Sequence, residues 1–149
     1  MTESRENSEI PDLRLDDLHD ELMLSIGLYR DGYYDEAVRK ASQRFINRIA
    51  ERAGRPDLDG AALIQKSFSD EKPLLEFNDR KTIQERNEHD GFRFLAVGLA
   101  RGVRNLITHA DEYGLTSVTA LEWMAFISAL HRRLDEARQV TSESAKSSR

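Results

Sequence analysis

The densest collection of chemically capable side chains lies in GVRNLITHADEYG, residues 102–114. It sets Arg104, Asn105, Thr108 and His109 at the end of an otherwise apolar segment, just before a charged loop that contains glycine. On a helix, Asn105 and His109 are four residues apart and share a face, so the amide can fix the orientation or tautomer of the imidazole. Arg104 stands beside that pair. Arginine and histidine without a metal suit the cleavage of RNA through attack by its own 2′-hydroxyl. The imidazole takes or gives a proton near neutral pH, and the guanidinium holds the scissile phosphate in a fork as negative charge develops on it. No protein nucleophile is needed. Arg93, Arg101, Arg132 and Arg133 lie on the flanking segments and can supply a local cationic patch. Tyr113, in the loop beside His109, and Thr108 are the further side chains placed to touch substrate.

The spacing alone is a weak signal in a chain with 17 arginines, because short motifs recur by chance. Arg14 and His19 reproduce it, but leucine follows that arginine, and Asp16, Asp17, Asp20 and Glu21 would repel a phosphate. That stretch is expected to be a solvated first turn. For Arg104 and His109 the bland alternative is a surface ion pair or cationic decoration of a helix C-terminus. His131, next to Leu130 and the Arg132-Arg133 pair, is expected to face the bundle with its hydrogen bonds satisfied, and His89 to be exposed. Trp123 and Phe126 fit packing better than base stacking.

The elements that must carry these groups read as helices. Leu15, Leu18, Leu22, Ile26 and Tyr29 recur at helical steps and predict a first helix ending near Asp31-Gly32. A second follows with Tyr34, Val38, Ala41, Phe45 and Ile49 on one face and arginines on the other, stopped by Gly54 and Pro56. Asp59 can cap a short helix from Gly60 to Phe68, and SDEKPLLEFND reads as a loop with a packed turn. A long helix is predicted from about Arg80 to Leu106 on Phe92, Leu95, Leu99, Val103 and Leu106. Gly98, Ala100 and Gly102 interrupt it; interior glycine costs about 1 kcal/mol relative to alanine, which calls for a close helix neighbour. Thr116 or Ser117 can cap a last helix, Val118 to Arg138, with Leu121, Met124, Ile127 and Leu134 along its apolar line. No strand signal and no internal repeat is found, so the fold class is all-α, a helical bundle.

Bulk properties narrow the function classes. A chain of 149 residues suits one core, with residues 1–11 a polar tail, 12–140 the helical domain and 141–149 a second flexible tail. There is no cysteine, and His19, His89, His109 and His131 are too far apart in sequence for a local ligand cluster, so neither a metal nor another cofactor is expected. The N-terminus lacks the apolar stretch of a signal peptide and no run approaches a membrane span, which points to the cytoplasm. A formal net charge of −5 argues against general affinity for phosphate backbones.

Arg104, Asn105 and His109 resemble the signature of the HEPN superfamily of helical ribonucleases and nucleotide-binding domains: an arginine, a polar residue and, a few positions later, a histidine. The segments YRDGYYDEAVRKASQRFINRIAERAG, GFRFLAVGLARGVRNLITH and ALEWMAFISALHRRLDEA look like its Ymh-type bacterial branch, whose role is unassigned, and the likeness covers about residues 15 to 138. The Tyr33-Tyr34 pair is similar to the aromatic opening of such domains and suggests a packing role. The resemblance implies an up-and-down four- to five-helix bundle that forms a homodimer, with the two motifs facing one another across a cleft. It implies metal-independent cleavage of RNA to a cyclic phosphate, in toxins or abortive-infection and other antiphage systems, with an antitoxin or defence-system protein as a further partner. Carried over, Arg104 stabilises the phosphate, Asn105 orients it or the imidazole, and His109 is the general acid or base. The alternative is a non-catalytic nucleotide- or partner-binding dimerisation module.

Overall fold

The computed structural model describes residues 12–108 and 114–141, and the side chains of 104–108 lie outside that description. It is an all-α bundle of five helices, α1 Met23–Arg30, α2 Tyr34–Ala53, α3 Gly60–Ser67, α4 Ile83–Thr108 and α5 Ser117–Asp135. A minimal antiparallel ladder joins β1 Leu75–Glu76 to β2 Arg138–Gln139.

The predicted first helix is broken. Leu15–Asp17 and Asp20–Leu22 form two 3-10 turns, and only α1 is regular. The reason lies in His19: its backbone is extended, and Nδ1 accepts the N–H of Glu21 at 3.1 Å, so the side chain takes the donor that a continuing helix would have used. Leu18 and Leu22 are nevertheless buried, because a 3-10 turn keeps residues three and four apart near one another.

α2 is the spine, in contact with each of the other helices. Val38, Ala41, Phe45 and Ile49 are fully buried along it. It ends as expected on Gly54, left-handed at φ 67°, with Arg55 N–H returning to the Ala50 carbonyl at 3.1 Å, the Schellman arrangement that satisfies the last carbonyls. Asp59 caps α3 by accepting from Gly60 N–H at 2.7 Å.

α4 starts at Ile83, three residues later than predicted. Thr82 Oγ1 accepts from Glu85 N–H at 3.1 Å while Glu85 Oε1 accepts from Thr82 N–H at 3.2 Å, a reciprocal capping box. Arg80, at φ 52°, belongs to the preceding turn. Phe92, Ala96, Leu99 and Val103 face the core, whereas Leu95, expected there, is 51% exposed. Ala96 takes the inward position because the stripe steps by four from Phe92 rather than by three.

Thr116 caps α5, accepting from Thr119 N–H at 3.1 Å. α5 stops at Asp135 instead of Arg138, since Arg138 is drawn into the ladder: its side chain reaches Glu76 at 3.1 Å and Asp79 at 2.6 Å. The segment read as a packed loop thus contributes a strand. Phe68, Phe77 and Phe92 form an aromatic cluster beneath it, with ring centroids 4.6 to 5.4 Å apart, and Arg133 caps Phe77 at 4.5 Å.

Candidate functional site

Arg104, Asn105 and Thr108 fall in the closing turns of α4; their side chains, and all of His109 and Tyr113, lie outside the described residues. The surrounding scaffold is described. Arg101, one turn earlier, is exposed and has no ion-pair partner among the described residues. Leu115 N–H donates to Asp35 Oδ1 at 2.7 Å, and a Cβ added at Gly114, left-handed at φ 57°, would stand 3.8 Å from the same carboxylate. Asp35 is in the first turn of α2, where it also complements the positive helix end. Tyr29 then donates its hydroxyl to the Ser117 carbonyl at 2.9 Å. Both anchors tie residues 115–117, at the start of α5, to the α1–α2 corner. There Tyr34 packs on Tyr29 at 5.0 Å, but Tyr33 is 63% exposed and so departs from the packing role expected of the pair. Local sequence patterning gives no signal for Asp35 and marks Tyr29 only as part of the first helix's apolar stripe.

The expected arginine patch does not assemble. Arg93 is held by Asp70 at 3.3 Å and Asp90 at 3.4 Å. Arg133 pairs with Glu88 and Glu136, and Arg132 donates to the Asp17 carbonyl at 2.5 Å. Of the four, Arg101 and Arg132 have no carboxylate partner among the described residues, and of these two only Arg132 is held, by a backbone carbonyl.

The other histidines are structural. His89, expected to be exposed, is 1% exposed. Its Nε2 donates to the Leu75 carbonyl at 3.1 Å and steadies β1, and burial holds its pKa below the usual imidazole value. His131 faces the bundle as expected. Its Nδ1 accepts from Arg48 at 3.0 Å and its Nε2 donates to the Ala41 carbonyl at 3.4 Å. Burial, with the Arg48 cation adding to it, pushes its pKa down to about 4. His19 is not the solvated turn anticipated: Nε2 donates to Asp135 at 2.7 Å, and the ring stacks on His131 at 5.3 Å.

These contacts converge on Arg48, buried although it was expected on the outer face of α2. It reaches Asp135 and His131 and lies 3.7 Å from Glu21. Glu21 is in turn gripped by Arg44 at 2.6 Å, a hydrogen bond that lowers the carboxyl pKa. Every polar atom that could do acid–base work in this network is already bonded within it, so it is a fastening rather than a reaction centre. Among the described residues no group of three or more metal-ligating side chains is found, and no helix is long and apolar enough to cross a membrane.

Residues 16–134 match a family described as a protein of unknown function, Hypoth_ymh. The chain belongs to that family. The match spans all five helices up to the last turn of α5. No curated protein and no solved structure matches the chain.

Proposed function

We propose that this member of the family is a metal-independent endoribonuclease of HEPN type, working in the bacterial cytoplasm as a toxin or an antiphage, abortive-infection effector. The observation that carries it is the placement of Arg104 and Asn105 in the last turns of α4, with His109 following, in a chain whose other three histidines are committed to the fold. Imidazole chemistry therefore falls to His109. Arg104 binds the scissile phosphate and neutralises charge on it in the transition state. His109 transfers the proton of the 2′-hydroxyl or of the leaving 5′-oxygen, and Asn105 orients one of the reacting partners. The 2′-oxygen attacks phosphorus and the 5′-oxygen departs, which leaves a 2′,3′-cyclic phosphate. Two copies of the motif meet across a homodimer, with Arg101, Thr108 and Tyr113 lining the approach. An acidic chain with only two patch arginines free of carboxylates suits a narrow RNA target, or one delivered by a partner such as an antitoxin or defence protein.

The test is cleavage of cellular and phage RNA in excess chelator. Wild-type protein is expected to leave cyclic phosphate ends, and His109→Ala to be slower by about 10²- to 10⁴-fold. Equal cutting by both, or by neither even with genomic neighbours present, rules the assignment out. The rival is a binding module in which Arg104 only grips a phosphate, and the pairing of Arg93 and Arg133 with carboxylates of the chain favours it. Nucleotide or RNA binding without turnover, lost in Arg104→Ala and kept in His109→Ala, would decide for that rival.

A further inference from the structure

The negative charge of the chain is concentrated at one place. Residues 12–31 hold six carboxylates, Asp12, Asp16, Asp17, Asp20, Glu21 and Asp31, against Arg14 and Arg30, so −4 of the net −5 falls in this stretch. Glu21 is gripped by Arg44, and Asp16 meets Arg30 at 2.7 Å. Asp12, Asp17, Asp20 and Asp31 have no ion-pair partner among the described residues. α1 lies in the middle of this acid. Its Ser25 is buried and its Tyr29 packs on the core. On the opposite face stand Met23 at 75% exposure, Leu24 at 65%, and Gly27, where an added Cβ would meet nothing within 4 Å among the described residues. Asp20 precedes this stripe by one turn and Asp31 follows it by one, so a carboxylate borders each end. Arg30, the only charge within α1, is the one that Asp16 takes up. Just beyond, the Tyr33 N–H returns to the Leu28 carbonyl at 2.9 Å, and the Tyr33 ring is left exposed at the same end. A solvated helix face normally carries the charges, whereas an apolar centre inside a charged rim is the anatomy of an interface.

We propose that the outer face of α1 docks a basic amphipathic helix of another protein, its apolar side chains on Met23, Leu24 and Gly27 and its lysines or arginines on Asp20 and Asp31. Charge complementarity selects that occupant. Cationic flanks would find unpaired carboxylates at both ends of the stripe, which steers the encounter and fixes its register. α1 is about 12 Å long, so two turns of a partner helix with apolar anchors three and four residues apart cover it. Met23 suits such a surface because an unbranched thioether adapts to what it meets, and the missing side chain at Gly27 admits a larger one. The same acid disfavours other occupants. A second copy in a two-fold contact would set like carboxylates opposite one another, and RNA or an anionic lipid surface would be repelled. The outer face of α4 also exposes Phe94 and Leu95, but α4 carries arginines and carboxylates alike and has no comparable bias. The contact uses neither Arg104 nor His109, so it holds whether or not the chain cuts RNA.

The probe is a fluorescently labelled peptide of leucine and lysine, patterned as an amphipathic helix of about 14 residues. Its anisotropy is expected to rise to saturation as wild-type chain is added, and the affinity to fall as salt is raised. A leucine and glutamate peptide of the same pattern is expected not to bind. Asp20→Asn with Asp31→Asn, and separately Met23→Ser with Leu24→Ser, should each weaken binding about tenfold or more at unchanged helical circular dichroism. Phe94→Ser with Leu95→Ser, a comparable apolar loss on α4, should change it by less than about twofold. A lysine peptide that fails to saturate the chain by about 100 μM, a glutamate peptide that binds as well, or an α4 variant that weakens binding as much as the α1 variants overturns the proposal. A dimer of the chain, or binding to RNA or phosphatidylserine vesicles, that Met23→Ser with Leu24→Ser abolishes would overturn it too, by giving the face to another occupant.

Discussion

Along the seam between α2 and α5, Arg48 reaches Asp135, His131 and Glu21 at once, whereas on the outer face of α4 Phe94 and Leu95 meet solvent and a Cβ added at Gly98 or Gly102 would meet nothing within 4 Å among the described residues. The first region has matched every charge it buries. The second leaves apolar surface and helix-weakening glycine without a packing neighbour among the described residues. Where polar groups are fully satisfied by one another, they hold a fold and have no capacity left for a ligand. Where apolar side chains and glycines of a helix face solvent, surface remains free to take a partner. Function is therefore sought at α4 and its end rather than in the more elaborate histidine network.

The sharpest way to break this contrast is Arg48→Ala. It removes the cation that Asp135, Glu21 and His131 share, leaving a buried imidazole acceptor unpaired. Loss of one partner from a buried charged network typically costs about 3 kcal/mol or more. Urea denaturation followed by circular dichroism should show the midpoint fall by that equivalent with the slope unchanged. A loss below about 0.5 kcal/mol, the range of ordinary surface substitutions, would mean the network is ornamental.

Acid probes the same seam without a mutation. His131 titrates at about 4 in the folded chain and near 6.5 when unfolded. Above pH 6.5 it is neutral in both states and contributes no pH dependence. As the pH falls below 6.5 the unfolded chain takes up a proton that the folded chain refuses, so stability declines by up to about 3 kcal/mol before levelling near pH 4. Denaturation midpoints measured at pH 7, 6, 5 and 4 should trace that decline, and His131→Phe should flatten it. A slope unchanged by the substitution would assign the acid sensitivity elsewhere; His89, also buried with a lowered pKa, would be the next group to replace.

How far the sequence discloses all this differs by element. α2 was legible end to end, because one apolar stripe, a left-handed glycine and a following proline agree with one another. The start of α4 was also written in Thr82 and Glu85, a capping pair outweighed by the apparent helical run from Arg80. The first helix misled because Leu15 to Leu22 satisfies a helical period that the His19 side chain interrupts. His89 and Arg48 were misplaced for a common reason. Burial of a polar residue depends on partners distant in sequence, here Leu75 for one and Asp135 for the other, and no local pattern encodes them. Of the candidate site, the motif was visible as residue types, but the anchors Asp35 and Tyr29 were not, since a carboxylate bonding a backbone N–H eighty positions away leaves no spacing to read.

The smallest expected effect has the opposite sign. In most packed helices, adding a methyl group at a glycine forces a neighbour to move, but at Gly98 an added Cβ would have no neighbour within 4 Å among the described residues. Gly98→Ala should therefore stabilise the dilute single chain by up to about 1 kcal/mol, the helix-propensity difference between the two residues. The measurement is the urea midpoint at sub-micromolar protein, where any self-association is suppressed. If the variant is less stable there, some intrachain group does close on this face and the contrast with the α2–α5 seam collapses. If it is more stable when dilute yet associates more weakly when concentrated, the glycine is retained at the expense of the monomer, which is the signature of a position shaped by what docks on it.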